Sequence, residues 1–99
     1  MFQYRPLPEG LTIKNSNIEG LGLFTNIPLK KNTDLGISHV LDDRFPQELF
    51  RTPLVAFCNH SDSPNCMTIL RGDFRHLITL RDILPGEELT TNYKLNSKL

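Results

Sequence analysis

The sequence has little that would create a long-range field or a covalent framework. Its 99 residues carry eleven Lys and Arg against eleven Asp and Glu, so no net charge draws the chain toward nucleic acid or an anionic membrane. Two cysteines, Cys58 and Cys66, are too few for a disulfide framework. No apolar segment approaches the length of a membrane-spanning helix, and the stretch from Met1 to Pro6 lacks a signal-peptide profile. A soluble, intracellular protein is the expectation, with no membrane and no direct nucleic-acid binding. There is no internal repeat, low-complexity tract or linker. Hydrophobic content of 38% beside 22% charged residues is modest, which favours a thin, strand-rich fold that a partner subunit could help to cover. A chain this short makes one domain, near the small end of what buries a self-sufficient core.

What is present reads as short strands separated by turns. Leu11 and Ile13 alternate with Thr12 and Lys14, which suits a half-buried strand, and Asn15-Ser16-Asn17 turns the chain. Gly20-Leu21-Gly22-Leu23-Phe24 follows. Its two glycines permit close approach of another backbone or a ligand, although a β-bulge explains a lone G-x-G as readily. Ile27 to Asn32 reads as a connection and Asp34 to Leu41 as a strand. A single helical turn is possible around Pro46 to Phe50, since proline suits a first turn. Pro53 to Cys58 is an apolar, strand-like run. Met67 to Arg71 and Phe74 to Leu80 flank Gly72-Asp73, a tight-hairpin signal. In the second of these strands Phe74, His76, Ile78 and Leu80 share a face opposite Arg75, Thr79 and Arg81, which predicts one face in and one out. Many short strands with Gly and Pro turns predict a mostly β fold with little helix.

Between two of these runs lies Asn59-His60-Ser61-Asp62-Ser63-Pro64-Asn65-Cys66. Asn, Ser and Asp side chains bond their own neighbouring backbone, so this segment should hold a fixed irregular shape. Such loops are common seats of function. No nucleophile–base–orienter set can be assembled around it, because His39, His60 and His76 are scattered and no serine has a nucleophile-elbow context. Cys58, His60 and Cys66 would give a metal three ligands at a spacing unlike the usual zinc patterns, so no metal is expected. His76 reads as a satisfied core histidine. Asp42-Asp43 and Glu87-Glu88 read as solvated surface, able to attract a basic segment.

The loop gains meaning from a second stretch, Gly86-Glu87-Glu88-Leu89-Thr90-Thr91-Asn92-Tyr93. Together the two resemble the signatures N-H-S-x-x-P-N and G-E-E-L-T-x-x-Y of SET-domain protein-lysine methyltransferases, matched at every named position. Gly20 to Phe24 resembles the same family's G-x-G-[LV]-F element. The likeness runs from Gly20 to Tyr93 and is strongest to small free-standing SET proteins of bacteria and viruses. It implies a single SET domain over residues 1–99, with its core at 9–93 and no post-SET segment. The implied fold is β-clip-like, of short sheets with a C-terminal pseudoknot. It further implies S-adenosyl-L-methionine as cofactor, held by Leu21, Gly22, Leu23, Asn59 and His60, with Tyr93 catalytic and Phe57 and Thr91 beside the substrate channel. The implied partner is a protein presenting a lysine. A non-catalytic SET module that binds cofactor or a peptide within a complex is the alternative. Ala56-Phe57-Cys58 departs from the family's Arg-Phe before N-H, and Thr91 stands where Phe or Tyr is common. With nothing resembling a post-SET flap to wall the channel, a homodimer is expected. A bacterial or viral source would place the protein in the cytoplasm, and the nucleus stays open.

Overall fold

The computed structural model describes residues 7–41 and 49–92. Its elements in chain order are β1 (Leu11–Asn15), β2 (Leu21–Thr25), β3 (Asp34–Leu41), β4 (Leu49–Arg51), α1 (Pro53–Ala56), β5 (Asn59–His60), β6 (Cys66–Arg71), β7 (Phe74–Thr79) and β8 (Glu88–Thr91). They form two four-stranded sheets, in the orders β1-β2-β8-β5 and β4-β3-β7-β6. This is the mostly β architecture of short sheets that the sequence predicts.

Local chemistry explains most of the strand borders. Gly72 at φ +65° opens the two-residue turn between β6 and β7, and Arg71 then faces Phe74 across the ladder. A glycine in that left-handed conformation at the first central position suits a tight hairpin whose twist matches its strands. β1 and β2 form a second hairpin, closed where the Ser16 N–H donates to the Gly20 carbonyl at 2.8 Å. β8 then enters between β2, antiparallel to it, and β5, parallel to it. A strand from the chain's far end thus lies between two earlier segments. The threading expected of a pseudoknot would continue past Asn92, outside the described residues.

Several local expectations are corrected. Pro53–Ala56 is a helical turn, not a strand. Proline sits in its first turn, where the missing N–H costs nothing, and Val55 and Cys58 donate backward to Thr52 and Val55. A short apolar run cannot by itself distinguish strand from helix, and here the proline decides. Of the possible turn at Pro46 to Phe50, the first residues lie outside the described ones, and Leu49–Arg51 is strand β4. The faces of β7 are not divided as expected either, since Ile78 is buried together with its neighbours on the opposite face. Arg75, Leu77 and Thr79 are buried, whereas Phe74 is 40% exposed. His76 is half-buried and pairs with Asp34 at 3.1 Å, so it is not a core residue.

One core joins the two sheets. Leu23, Leu77 and Leu89 are fully buried, and they cluster with Leu11, Leu35, Leu54, Val55, Cys58, Cys66 and Ile83. Each fully buried leucine contributes about 1.5–3 kcal/mol relative to exposure. β2 and β8 therefore have their positions fixed by Leu23 and Leu89, which face each other in the ladder.

Candidate functional site

The site forms where those two strands leave the core. Ser16 ends the β1 hairpin, and its Oγ accepts the Ile18 N–H at 2.9 Å. Its hydroxyl donates in turn to the Glu88 carboxylate, with oxygens at 2.7 and 2.9 Å. Glu88 starts β8 opposite Phe24, and its carboxylate lies in the space beside Gly22. A Cβ at Gly22 would run into a Glu88 carboxylate oxygen and stand 2.8 Å from the carboxylate carbon. The second glycine of the G-x-G stretch is thus required by close approach, as expected of a strand glycine.

Asn59 completes the cluster. It starts β5, opposite Thr90 in the parallel pairing with β8. Its Nδ2 lies 2.8 Å from Glu88 Oε2, 3.1 Å from Ser16 Oγ, 3.1 Å from the Glu19 carbonyl and 3.3 Å from the Leu21 carbonyl. Two N–H bonds are shared among four acceptors. Carbonyl and carboxylate oxygens only accept, so the NH₂ end must point at them. Among the described residues Asn59 Oδ1 receives no hydrogen bond. Three stretches far apart in sequence meet at this one amide.

The other motif residues are placed more loosely. Leu21 is 45% exposed, whereas Leu23 is fully buried, so Leu23 can meet a ligand only through its backbone. His60 is exposed, with Nε2 3.4 Å from Asp62. Phe57 caps α1 and is 42% exposed. Thr91 is buried at 2% exposure, and its side chain is hydrogen-bonded to Cys58. Tyr93 lies outside the described residues.

Burial pushes the Cys58 thiol up to about 12, with Thr91 pulling the other way, and burial raises Cys66 as well. Neither thiol is a thiolate at neutral pH, so neither offers a nucleophile or metal ligand as it stands. Among the described residues no three His, Cys, Asp or Glu side chains come together as a metal site. An open concavity of about 830 Å³ lies elsewhere, lined by Leu35, Ile37, Leu54, Asp34 and His76 and by none of the motif residues.

Sequence reasoning missed Ser16, Glu88 and Asn65. The polar loop has two halves. Asn59 faces the hairpin, while Asn65, 4% exposed, clamps β8. Asn65 Oδ1 accepts the Thr90 N–H at 2.8 Å and its Nδ2 donates to the Glu88 carbonyl at 2.8 Å. The missed signal was Gly22 itself, since a glycine inside a strand asks what occupies the place of its side chain. Glu87, the other half of the acidic pair, does lie at the surface and pairs with Arg81 at 2.9 Å.

Residues 38–94 match the SET domain family. A solved structure from Plasmodium falciparum, described as a candidate histone methyltransferase, superposes with a TM-score of 0.71. The match covers 88% of this chain and 95% of that one at 18% identity, a likeness of fold. No curated protein matches closely enough to count as a relative. The family match spans more than half of the chain, including the polar loop and the last strand, and the fold agrees over most of it: the chain belongs to the SET domain family.

Proposed function

We propose that the chain is an S-adenosylmethionine-dependent protein-lysine N-methyltransferase. One observation carries this reading: the carbonyls of Glu19 and Leu21 and the Glu88 carboxylate all accept from the Asn59 NH₂, which leaves Asn59 Oδ1 to accept from a ligand. An amide oxygen turned outward in this way, with a carboxylate behind it, suits a cation bearing N–H donors, and the amino end of S-adenosylmethionine is one. The residues present therefore fit the cofactor. When bound, it supplies a methyl group already activated on a sulfonium.

The protein's share of the work is then alignment and desolvation. The glycine at position 22 admits the Glu88 carboxylate beside β2, where it holds the Asn59 NH₂. Leu23 and Leu89 lock β2 against β8, so the carbonyl of Leu21 and the amide of Asn59 hold a fixed spacing. Holding reactants in line can supply several kcal/mol of a barrier. A lysine amine must be deprotonated to react, which at pH 7 lies roughly 4–5 kcal/mol uphill from its usual pKa. A dry, apolar approach disfavours the ammonium and lowers that cost. Tyr93, which closes the G-E-E-L-T-x-x-Y stretch in sequence, is assigned to the reacting end, and a protein-borne lysine is the substrate.

The test is transfer of labelled methyl from S-adenosylmethionine to proteins of a cell lysate, followed by identification of the labelled lysines. Tyr93→Phe should cut turnover by roughly a hundredfold while leaving cofactor affinity nearly unchanged. A folded wild-type chain that labels no protein would overturn the reading.

A further inference from the structure

The acceptor cluster raises a question that cofactor binding alone does not answer: what decides which end of the Asn59 amide faces the ligand. Free rotation about the last torsion would offer NH₂ or oxygen with similar ease, since the two ends have nearly the same shape. In this chain the Glu19 and Leu21 carbonyls favour the NH₂ end, and Glu88 makes the shortest of the contacts that hold it. Its carboxylate holds the Asn59 NH₂ at 2.8 Å and is itself held by the Ser16 hydroxyl at 2.7 and 2.9 Å. The space it occupies is the one left by the missing side chain of Gly22. With NH₂ turned inward toward Glu88, Ser16 and the hairpin carbonyls, Oδ1 is the end left to accept a bond.

We infer that Glu88 is a positioning residue, which with Ser16 and Gly22 fixes the Asn59 amide so that Oδ1 accepts a hydrogen bond from the ligand's ammonium group. The inference rests on the cofactor reading above and deepens it. It gives the second acidic residue of Gly86-Glu87-Glu88-Leu89 a role that its neighbour Glu87, paired with Arg81 at the surface, does not share. It also predicts discrimination. A ligand with the same adenosine and sulfur but no amino group should be blind to Glu88, because only the ammonium meets the oriented oxygen. The negative charge behind the amide favours a cationic partner further, as charge-assisted bonds are stronger than neutral ones.

The experiment has two arms. In the first, calorimetry compares S-adenosylhomocysteine with its analogue lacking the α-amino group, on wild type, Glu88→Gln, Glu88→Ala, Asn59→Ala and the Asn59→Ala/Glu88→Ala pair. Glu88→Ala should weaken S-adenosylhomocysteine by roughly tenfold and Glu88→Gln by less, since glutamine keeps an acceptor oxygen. Affinity for the des-amino analogue should stay within about twofold throughout, and the double variant should bind no worse than Asn59→Ala. Equal weakening of both probes, or additive losses in the double variant, would overturn the inference in favour of a merely structural role.

The second arm needs no ligand. The Asn59 side-chain NH₂ protons should exchange slowly with solvent in wild type and fast in folded Glu88→Ala, read from the ¹⁵N spectrum. Exchange in wild type as fast as for an exposed asparagine would overturn the positioning directly. A chain whose Asn59 amide is held, yet which binds neither probe, would refute the cofactor reading while leaving Glu88's hold on Asn59 supported.

Discussion

Gly22→Ala is the smallest change that probes the centre of the fold and the site together. No positive φ is involved at this position, so the consequence is steric and not backbone strain. The new methyl would collide with a Glu88 carboxylate oxygen, stand 2.8 Å from Glu88 Cδ and lie 3.1 Å from Ser16 Cβ. The carboxylate is the far end of a flexible side chain and can swing away. The cost is therefore that of the bonds it abandons, to Ser16 and to Asn59. Two charge-assisted hydrogen bonds would be worth about 1.5–3 kcal/mol each if fully buried. Partial exposure brings each down to roughly 1–1.5 kcal/mol. Replacing glycine returns about 0.5–1 kcal/mol through the unfolded chain. The net loss is about 2 kcal/mol, or a fall in Tm of roughly 10 °C for a chain of this size.

Urea titration of four proteins tests this: wild type, Gly22→Ala, Glu88→Ala and the pair. In a Glu88→Ala background only the 3.1 Å contact with Ser16 Cβ remains, so Gly22→Ala should then cost little, for a coupling of about 2 kcal/mol. The denaturant slope should be the same in all four, which keeps the comparison one of stability alone. Equal effects of Gly22→Ala in both backgrounds would refute the claim that the glycine exists to admit the carboxylate.

Further outcomes follow from the same structure. Cys58 and Cys66 are buried, with Cys58 raised to about 12, so native protein should resist thiol alkylation and label only on unfolding; rapid native labelling would contradict their placement. Burial, with the nearby charges of Arg75 and Arg51, holds His39 below its ordinary 6.5. The unfolded chain then binds the extra proton first, so His39's contribution is present above pH 6.5 and lost as pH falls through its folded value. A proton-resonance titration of His39 with a midpoint at or above 6.5 would refute this. Glu87 is lowered from 4.5 by Arg81 and the Leu84 N–H, which adds a second loss of stability as pH falls below that value. A homodimer is proposed from the apolar side chains left in solvent, Leu84 at 67%, Ile18 at 53% and Leu70 at 47% exposed. Light scattering should return twice the chain mass, and a monomer with full activity would count against it.

The parts of this molecule legible in the sequence were those set by local chemistry. Gly72-Asp73 demands a hairpin whatever surrounds it, and the alternation around Leu11 and from Asp34 gives strands where strands are found. Period-two alternation identifies two faces but cannot say which one is covered. In β7 both faces are covered at the strand's far end, where Leu77, Ile78 and Thr79 are all buried, and Phe74 at the hairpin end is exposed. The site was legible as stretches and not as contacts. Gly22, Asn59 and the last strand were singled out separately, yet Glu88 read as solvated surface, since nothing near it in sequence supplies Ser16 and Asn59 as partners. Sequence separations of 72 and 29 residues divide Glu88 from those two, and only the insertion of β8 between β2 and β5 closes them.

That insertion rests on very little regular structure. β5 has only two residues, too few for a ladder to hold a strand in place. Asn65 supplies what is missing. Its amide accepts from Thr90 and donates to the carbonyl of Glu88, giving β8 the pair of bonds that a longer neighbouring strand would give through its peptide groups. The Cys58 thiol adds a contact to the Leu89 carbonyl at 3.4 Å, and the Ser61 N–H one to Thr91 at 2.9 Å. The segment from Cys58 to Asn65 therefore grips β8 along its whole length. Glu88 stands at the end of that grip, its carbonyl on Asn65 and its carboxylate on Asn59. The same loop that fixes the strand receives the strand's carboxylate back, so the geometry of the acceptor cluster is set by the hold of the loop on β8. The motif needs asparagine at both ends for different reasons: one amide builds the sheet, and the other is left with an oxygen to offer.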